Sequence, residues 1–214
     1  MHNLNPNLEK YILNHTDPEG EVLEELNRYT HANILNPNML AGHLQGKILE
    51  MISRMISPSN ILEIGTYTGY SAICLAKGLR KGGKLTTIDC NDELSDISRN
   101  YFIKAGADHL IESYQGDALD IIPGLKEQFD LVFIDGEKEE YLSYYKVVFD
   151  KVKRGGYILA DNALWGGKIT GTAARMDKST SGIADFNNYV HQDTRVQNLI
   201  LPVRDGLMIL RKKE

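Results

Sequence analysis

The chain has 214 residues, with 29 acidic and 24 basic side chains and a formal net charge of -5. That length buries one continuous core without disulfides or a structural metal, and 42% hydrophobic beside 25% charged residues marks a folded domain, not a disordered chain. Net negative charge repels phosphate backbones, so no nucleic-acid partner is expected, and no apolar run approaches the roughly 18 residues of a membrane-spanning helix.

Met1 to Lys10 lack the basic start and apolar run of a secretory signal, which makes the cytoplasm the expected location. The pattern up to residue 57 is helical: Leu40, Leu44, Ile48, Met51, Ile52 and Met55 recur at helix spacing, with Gln45, Lys47 and Glu50 falling elsewhere. Pro58 closes that helix. Short apolar runs then alternate with amphipathic segments, and Ile61 to Ile64, Leu85 to Ile88, Leu131 to Ile134 and Tyr157 to Ala160 read as buried strands. Between them, Asn91 is a plausible N-cap for a helix running toward Ala105, and Tyr141, Leu142, Tyr145, Val148, Phe149 and Val152 keep a helical rhythm. Residues 163–180, rich in Gly, Thr and Lys, read as a long loop of the kind that serves as a lid. Val196 to Val203 and Leu207 to Leu210, joined through Arg204-Asp205-Gly206, predict an antiparallel hairpin at one sheet edge. Strands alternating with helices imply an α/β fold with a doubly wound, mostly parallel sheet and helices on both faces. With no repeat and no linker, residues 1–214 are expected to form one domain.

Three constellations bear chemistry. In Ile61-Leu-Glu-Ile-Gly65-Thr-Tyr-Thr-Gly69-Tyr-Ser71 a buried strand ends in glycines and runs into a helix, presenting free backbone N–H groups to a nucleotide-like ligand. It is not the G-x-G-x-x-G dinucleotide fingerprint, and Glu63 suits a cationic ligand better than a diphosphate. Asp89, about 20 residues beyond Gly69, can accept both ribose hydroxyl protons, although an Asp at a strand end also serves as a cap or turn residue. Asp117 and Ala118 could face an adenine edge, and Asp117 is equally a helix N-cap.

The third constellation is Phe133-Ile-Asp135-Gly-Glu-Lys138 together with Ala160-Asp161-Asn162. In a parallel sheet both strand ends reach the same edge. Two carboxylates and an amide oxygen make a hard, oxygen-only set suited to Mg²⁺, Mn²⁺ or Ca²⁺, whereas zinc would prefer His or Cys. Lys138 lies where its ammonium can return to that metal site, or else is a solvated lysine. The six histidines show no ligand spacing, Cys74 and Cys90 form no CxxC pair and are expected as reduced thiols, and Tyr141, Tyr144 and Tyr145 are expected to pack. An NAD-dependent oxidoreductase and a non-catalytic cofactor-binding module share this layout as alternatives.

These residues resemble the metal-dependent catechol and caffeoyl-CoA type O-methyltransferases, within the class I Rossmann-like methyltransferases. The likeness rests on Leu62 to Ser71, Phe133 to Tyr141 and Gly155 to Trp165, in family order and spacing, and covers nearly the whole chain. It implies a seven-stranded sheet and an enzyme that moves a methyl group from S-adenosylmethionine to one hydroxyl of a catechol-like small molecule. It further implies that Met39, Glu63, Gly65, Thr66, Ser71, Asp89, Asp117, Ala118 and Asp135 surround S-adenosylmethionine, that Asp135, Asp161 and Asn162 hold a divalent metal, Mg²⁺ first, that Lys138 is catalytic, and that the chain forms a homodimer. Gly136-Glu137 replaces the Ala-Asp often found before the family's lysine, and Gly166 replaces a plant-type substrate Asn, so the acceptor stays open.

Overall fold

A computed structural model describes residues 5–171 and 176–214. Three helices, α1 (Pro6–Asn14), α2 (Glu21–Asn33) and α3 (Gly42–Ile56), precede the first strand, β1 (Asn60–Ile64). Strands β2 (Lys84–Asp89), β3 (Ile111–Gln115), β4 (Phe129–Ile134) and β5 (Val152–Ala160) then alternate with α4 (Tyr70–Ala76), α5 (Ser95–Lys104), α6 (Ala118–Ile121) and α7 (Tyr141–Phe149). Helix α8 (Lys178–Gln192) leads into β6 (Val196–Leu201) and β7 (Leu207–Lys212). The seven strands form one sheet in the order β3-β2-β1-β4-β5-β7-β6, with β1 to β5 parallel and β7 antiparallel to both β5 and β6. The expected doubly wound sheet with its terminal hairpin is the fold the chain adopts. The order reverses between β1 and β4, which opens a crevice at their carboxyl ends.

Alternation along the strands sorts the core into two layers. Leu62, Ile64, Val132, Ile134 and Ile158 face α6, α7 and α8, while Ile61, Leu85, Leu131, Phe133 and Leu159 face α2, α3, α4 and α5. Both faces are covered, which is why the strands are apolar on both sides. In the first layer the tyrosines pack as expected: the Tyr141 and Tyr145 rings lie edge-on to Phe186, with centroids 5.7 and 6.1 Å apart.

Helix α3 departs from its sequence pattern. Its buried residues are Gln45, Gly46, Leu49, Glu50 and Ser53, whereas Met51 and Met55 are 57% and 74% exposed. The cause is close approach to α4: a Cβ on Gly46 would lie 2.6 Å from the Tyr70 ring and 2.9 Å from Cys74 Sγ, so the contact takes small or hydrogen-bonded side chains in place of bulky apolar ones. Ser53 donates to Leu75 O at 2.7 Å, and Glu50 is neutralised by Lys47, Lys77 and Arg54.

Other boundaries shift for local reasons. Val152 opens β5 instead of continuing α7, which ends at Phe149. Strand β6 stops at Leu201, because Pro202 has no N–H to pair and Val203 and Gly206 form a turn instead. Asn91 caps a short 3₁₀ turn, accepting from Glu93 N at 3.0 Å before α5 begins at Ser95. The loop expected over 163–180 contains a 3₁₀ segment, Trp165–Thr170, and ends early where Asp177 caps α8. Residues 172–175, part of the expected lid, lie outside the described residues.

Phe186 is 1% exposed and is held by two tyrosine rings, so Phe186→Ala is expected to cost about 3–5 kcal/mol. Urea unfolding followed by circular dichroism measures it; a cost under about 1 kcal/mol would mean that α8 is not anchored to α7 through this ring.

Candidate active site

Strand parity builds the site. Ile61, Leu85, Leu131 and Leu159 face the α3 and α4 layer, and a period of two carries that face to Glu63, to Thr87 and Asp89, to Asp135 and to Asp161. Parallel register aligns these positions: Glu63 pairs with Thr87 and Phe133, and Phe133 with Leu159. Just past the strand ends, Asp135 N–H donates to Ile64 O at 2.8 Å and Asp161 N–H to Ile134 O at 3.0 Å. Four carboxylates therefore gather at one edge of one face, beside the point where strand order reverses.

Glu63 is fully buried. Its Oε2 accepts from Thr87 Oγ1 at 2.6 Å, and its Oε1 has no partner among the described residues. Burial pushes its pKa up to about 8; the hydroxyl of Thr87, and that of Ser71 nearby though it makes no well-formed hydrogen bond to the carboxylate, oppose the rise, and the charges of Asp135 and Asp89 add to it. A buried, half-satisfied carboxylate is a receptor for a cation or a donor.

The adjoining turn is tightly constrained. Gly65 has φ +97°, and a Cβ there would strike the Asp135 carbonyl, so only glycine fits. Thr66 Oγ1 lies 2.5 Å from Thr87 Oγ1, tying the turn to β2. Asp89 accepts Tyr67 N–H at 2.7 Å on one oxygen and Asn91 N–H at 2.8 Å on the other, so its carboxylate organises the loop as well as facing the crevice. Beside it a cavity of about 510 Å³ is lined by Thr66, Tyr67, Asp89, Asn91, Phe102 and Gln115 among others. Ser71 and Ala118 are buried. Asp117 is exposed and is the N-cap of α6, accepting Leu119 N–H at 2.8 Å. Met39 ends a 3₁₀ turn and is 60% exposed.

On the other side of Glu63, Lys138 Nζ donates to Asp135 Oδ1 at 2.8 Å, to Gly136 O at 3.0 Å and to Tyr141 Oη at 2.9 Å. Burial alone would lower the pKa of this ammonium, but Asp135 and Tyr141 outweigh it and hold the pKa above the ordinary lysine range. Asp135 is pushed up to about 6 by burial, with Lys138 opposing and Asp161 reinforcing. Asp161 is 7% exposed, and its carboxylate accepts no hydrogen bond from the described residues. Asn162 sits at φ +58°, a left-handed conformation that asparagine tolerates. Among the described residues no three His, Cys, Asp or Glu side chains form a metal site on their own. The set here is two carboxylates, one of them unpartnered among the described residues, and an amide oxygen, a hard donor group that fits a divalent cation such as Mg²⁺.

Thr87, Tyr141 and Asp205 touch these residues, although the sequence marks Tyr141 only for packing, Asp205 only for a turn and Thr87 not at all. Thr87 was hidden inside a strand pattern. Tyr141 could have been noticed three residues after Lys138, one helical turn away. Asp205 carried only a turn signal.

A family model described as O-methyltransferase matches residues 14–213. A caffeoyl-CoA O-methyltransferase from Petroselinum crispum is 35% identical over 205 residues, spanning 91% of this chain and 85% of its own length. The structure of the O-methyltransferase TomG from Streptomyces achromogenes, involved in tomaymycin synthesis and solved in complex with SAM, superposes with a TM-score of 0.90 at 27% identity, over 97% of this chain and 96% of its own. An O-methyltransferase from Bacillus cereus, in complex with SAH, gives a TM-score of 0.85 at 28% identity and covers 97% of both chains.

The raised pKa of Glu63 has a direct consequence for stability. Between about 4.5, its unfolded value, and about 8 the folded chain holds a proton that the unfolded chain has released, so Glu63 makes stability fall as pH rises through that window, by at most about 1.4 kcal/mol per pH unit. Glu63→Gln removes this contribution. Urea midpoints of the ligand-free protein from pH 5 to 8 should decline less steeply in the variant, and parallel declines would place the Glu63 pKa near its unfolded value.

Proposed function

This chain belongs to the O-methyltransferase family, and from that premise we propose that it transfers the methyl group of S-adenosylmethionine to one hydroxyl of a catechol-like acceptor, with a divalent metal, Mg²⁺ before Mn²⁺ or Ca²⁺. The observation that carries this reading is the gathering of Glu63, Asp89, Asp135 and Asp161 at one sheet edge, with Glu63 Oε1 left without a partner among the described residues. S-adenosylmethionine brings a sulfonium and an ammonium group to such a site, and similar structures hold SAM or SAH. The name of the parsley relative specifies a caffeoyl acceptor, a group with two adjacent phenolic hydroxyls.

In this reading Glu63 faces the cationic end of the methyl donor, Gly65 and Thr66 form the turn around it with Ser71 in the first turn of α4, Asp89 takes the ribose hydroxyls, Asp117 and Ala118 flank the adenine, and Met39 and Asp135 complete the enclosure. Asp135, Asp161 and Asn162 hold the metal. A hard divalent cation supplies Lewis acidity to the acceptor oxygens, making ionisable near neutral pH a phenol whose ordinary pKa is about 10. Lys138 is the catalytic residue. With three acceptors around its Nζ it keeps its own proton, so its role is to stabilise the phenolate by charge; acting as the base would require the charge of Asp135 to be taken up elsewhere. The phenol's proton passes to bulk water, and the phenolate oxygen bonds to the methyl carbon as the carbon–sulfur bond breaks, giving a methyl ether and S-adenosylhomocysteine. Holding the two reactants in line supplies much of the rate. The whole chain acts as one methyltransferase domain, as a cytoplasmic homodimer, with the N-terminal helices and residues 163–171 beside the acceptor. No described helix is long and apolar enough to cross a membrane.

Mass spectrometry of purified protein with S-adenosylmethionine and a panel of catechols should detect methylated product with Mg²⁺ and lose it with EDTA. Methylation that persists in EDTA would reject the metal. Cofactor binding by calorimetry with no catechol methylated would reject the acceptor class. Lys138→Ala is expected to lower kcat about 100-fold or more with little change in cofactor affinity; full turnover at neutral pH would remove Lys138 from the chemistry.

A further inference from the structure

The turn between β6 and β7 reaches back across the sheet edge to the segment that carries Asn162, and the reaction outlined above makes no use of it. Ala163 N–H donates to Gly206 O at 2.9 Å and Leu164 N–H to Asp205 O at 2.8 Å. The Asp205 side chain adds two more contacts: Oδ1 accepts Gly166 N–H, and Oδ2 accepts Asn162 Nδ2 at 3.4 Å. Gly206, at φ +85°, allows the approach, because a Cβ there would lie 2.8 Å from Leu164 N. The loop after β5 thus hangs from residues 205 and 206. On its other side the same turn is anchored by Arg204, which donates to Leu40 O at 3.1 Å and Gln45 Oε1 at 2.9 Å.

The contact with Asn162 carries chemical information. A primary amide has a donor edge and an acceptor edge of nearly the same shape, and only the acceptor edge can ligate a cation. A carboxylate has no proton to give, so the amide edge that meets Asp205 is the NH₂, which leaves Oδ1 on the opposite side of the planar group. Asn162 Oδ1 accepts no hydrogen bond from the described residues, and the neighbouring Asp161 carboxylate is buried with none either.

We propose that Asp205 is a positioning residue that sets which edge of Asn162 the metal meets, holding the amide with its oxygen toward the cation. This rests on the reading of Asp135, Asp161 and Asn162 as the metal's ligands. Partners of this kind fix a ligand's orientation, and losing one typically weakens metal binding about 10–100-fold.

The test is a double-mutant cycle read by metal affinity, using the electron paramagnetic resonance signal of free Mn²⁺ over the full-length protein. Asp205→Ala should weaken Mn²⁺ binding at least about 10-fold while leaving S-adenosylhomocysteine affinity, measured by calorimetry, within about twofold. In an Asn162→Asp background both edges of residue 162 are oxygens and orientation no longer matters, so Asp205→Ala should then cost nothing or strengthen binding. Asp205→Asn, the same size and able to keep the Gly166 contact, should show the same dependence on background and serves if the alanine variant does not fold. Equal losses in both backgrounds, parallel loss of S-adenosylhomocysteine affinity, or unchanged Mn²⁺ affinity in the single variant would each overturn the proposal. Asp161→Ala is measured alongside; wild-type Mn²⁺ affinity there would instead remove the metal reading itself, and the positioning role with it.

Discussion

The parallel register of β2, β1, β4 and β5 decides which side chains share the site. Because side chains alternate with a period of two, a slip of one residue in any of these strands would turn its terminal acid to the opposite face, under α6, α7 and α8. The register is held by burial on both faces: Leu62 and Ile64 on one side and Ile61 on the other leave β1 no alternative pairing that keeps its apolar residues dry. Close approach at the strand ends depends on the same pairing. Gly65 passes directly over the Asp135 carbonyl, a contact only glycine allows, so the turn after β1 and the loop after β4 are fitted to each other.

Gathering acids at that edge is electrostatically unfavourable, and the protein divides the cost between two arrangements. Lys138 neutralises Asp135 directly at 2.8 Å and is itself steadied by Tyr141. Glu63 has no such counter-charge among the described residues and is pushed toward its neutral form, chiefly by burial. A site that keeps a carboxylate buried with one oxygen unused is organised for something positively charged. Family membership and the solved relatives point to methyl transfer from S-adenosylmethionine as the chemistry this arrangement serves.

The edge of the sheet farthest along the chain also joins distant segments. Through Arg204 the β6–β7 turn grips Leu40 and Gln45, and through Asp205 and Gly206 it suspends the segment after β5. Two stretches of chain far apart in sequence, Leu40 to Gln45 and Asn162 to Gly166, are therefore tied to one turn. The tight packing of α3 on α4 works in the same direction, since the small residue Gly46 lets the N-terminal segment lie close against the layer that faces the acids.

Read alone, the sequence was enough to determine the strand and helix alternation, the terminal hairpin, and the identities of Glu63, Asp89, Asp135, Lys138, Asp161 and Asn162 as the residues to watch. These are local signals, since apolar runs, glycine turns and acids at strand ends are all written within a few residues of one another. What lay beyond it required knowing which distant surfaces meet. Apolar spacing put Met51 and Met55 of α3 inside and Gln45 and Glu50 outside, and the tertiary structure reversed this because the α3–α4 contact is too close for large side chains and supplies polar ones with partners. Asp205 could be read only as a turn residue, because its partners Asn162 and Gly166 lie about 40 residues earlier in the chain. Local pattern encodes which elements form and which side chains stand at their ends; which face is buried, and which side chain contacts another, is settled only when packing brings separated segments together.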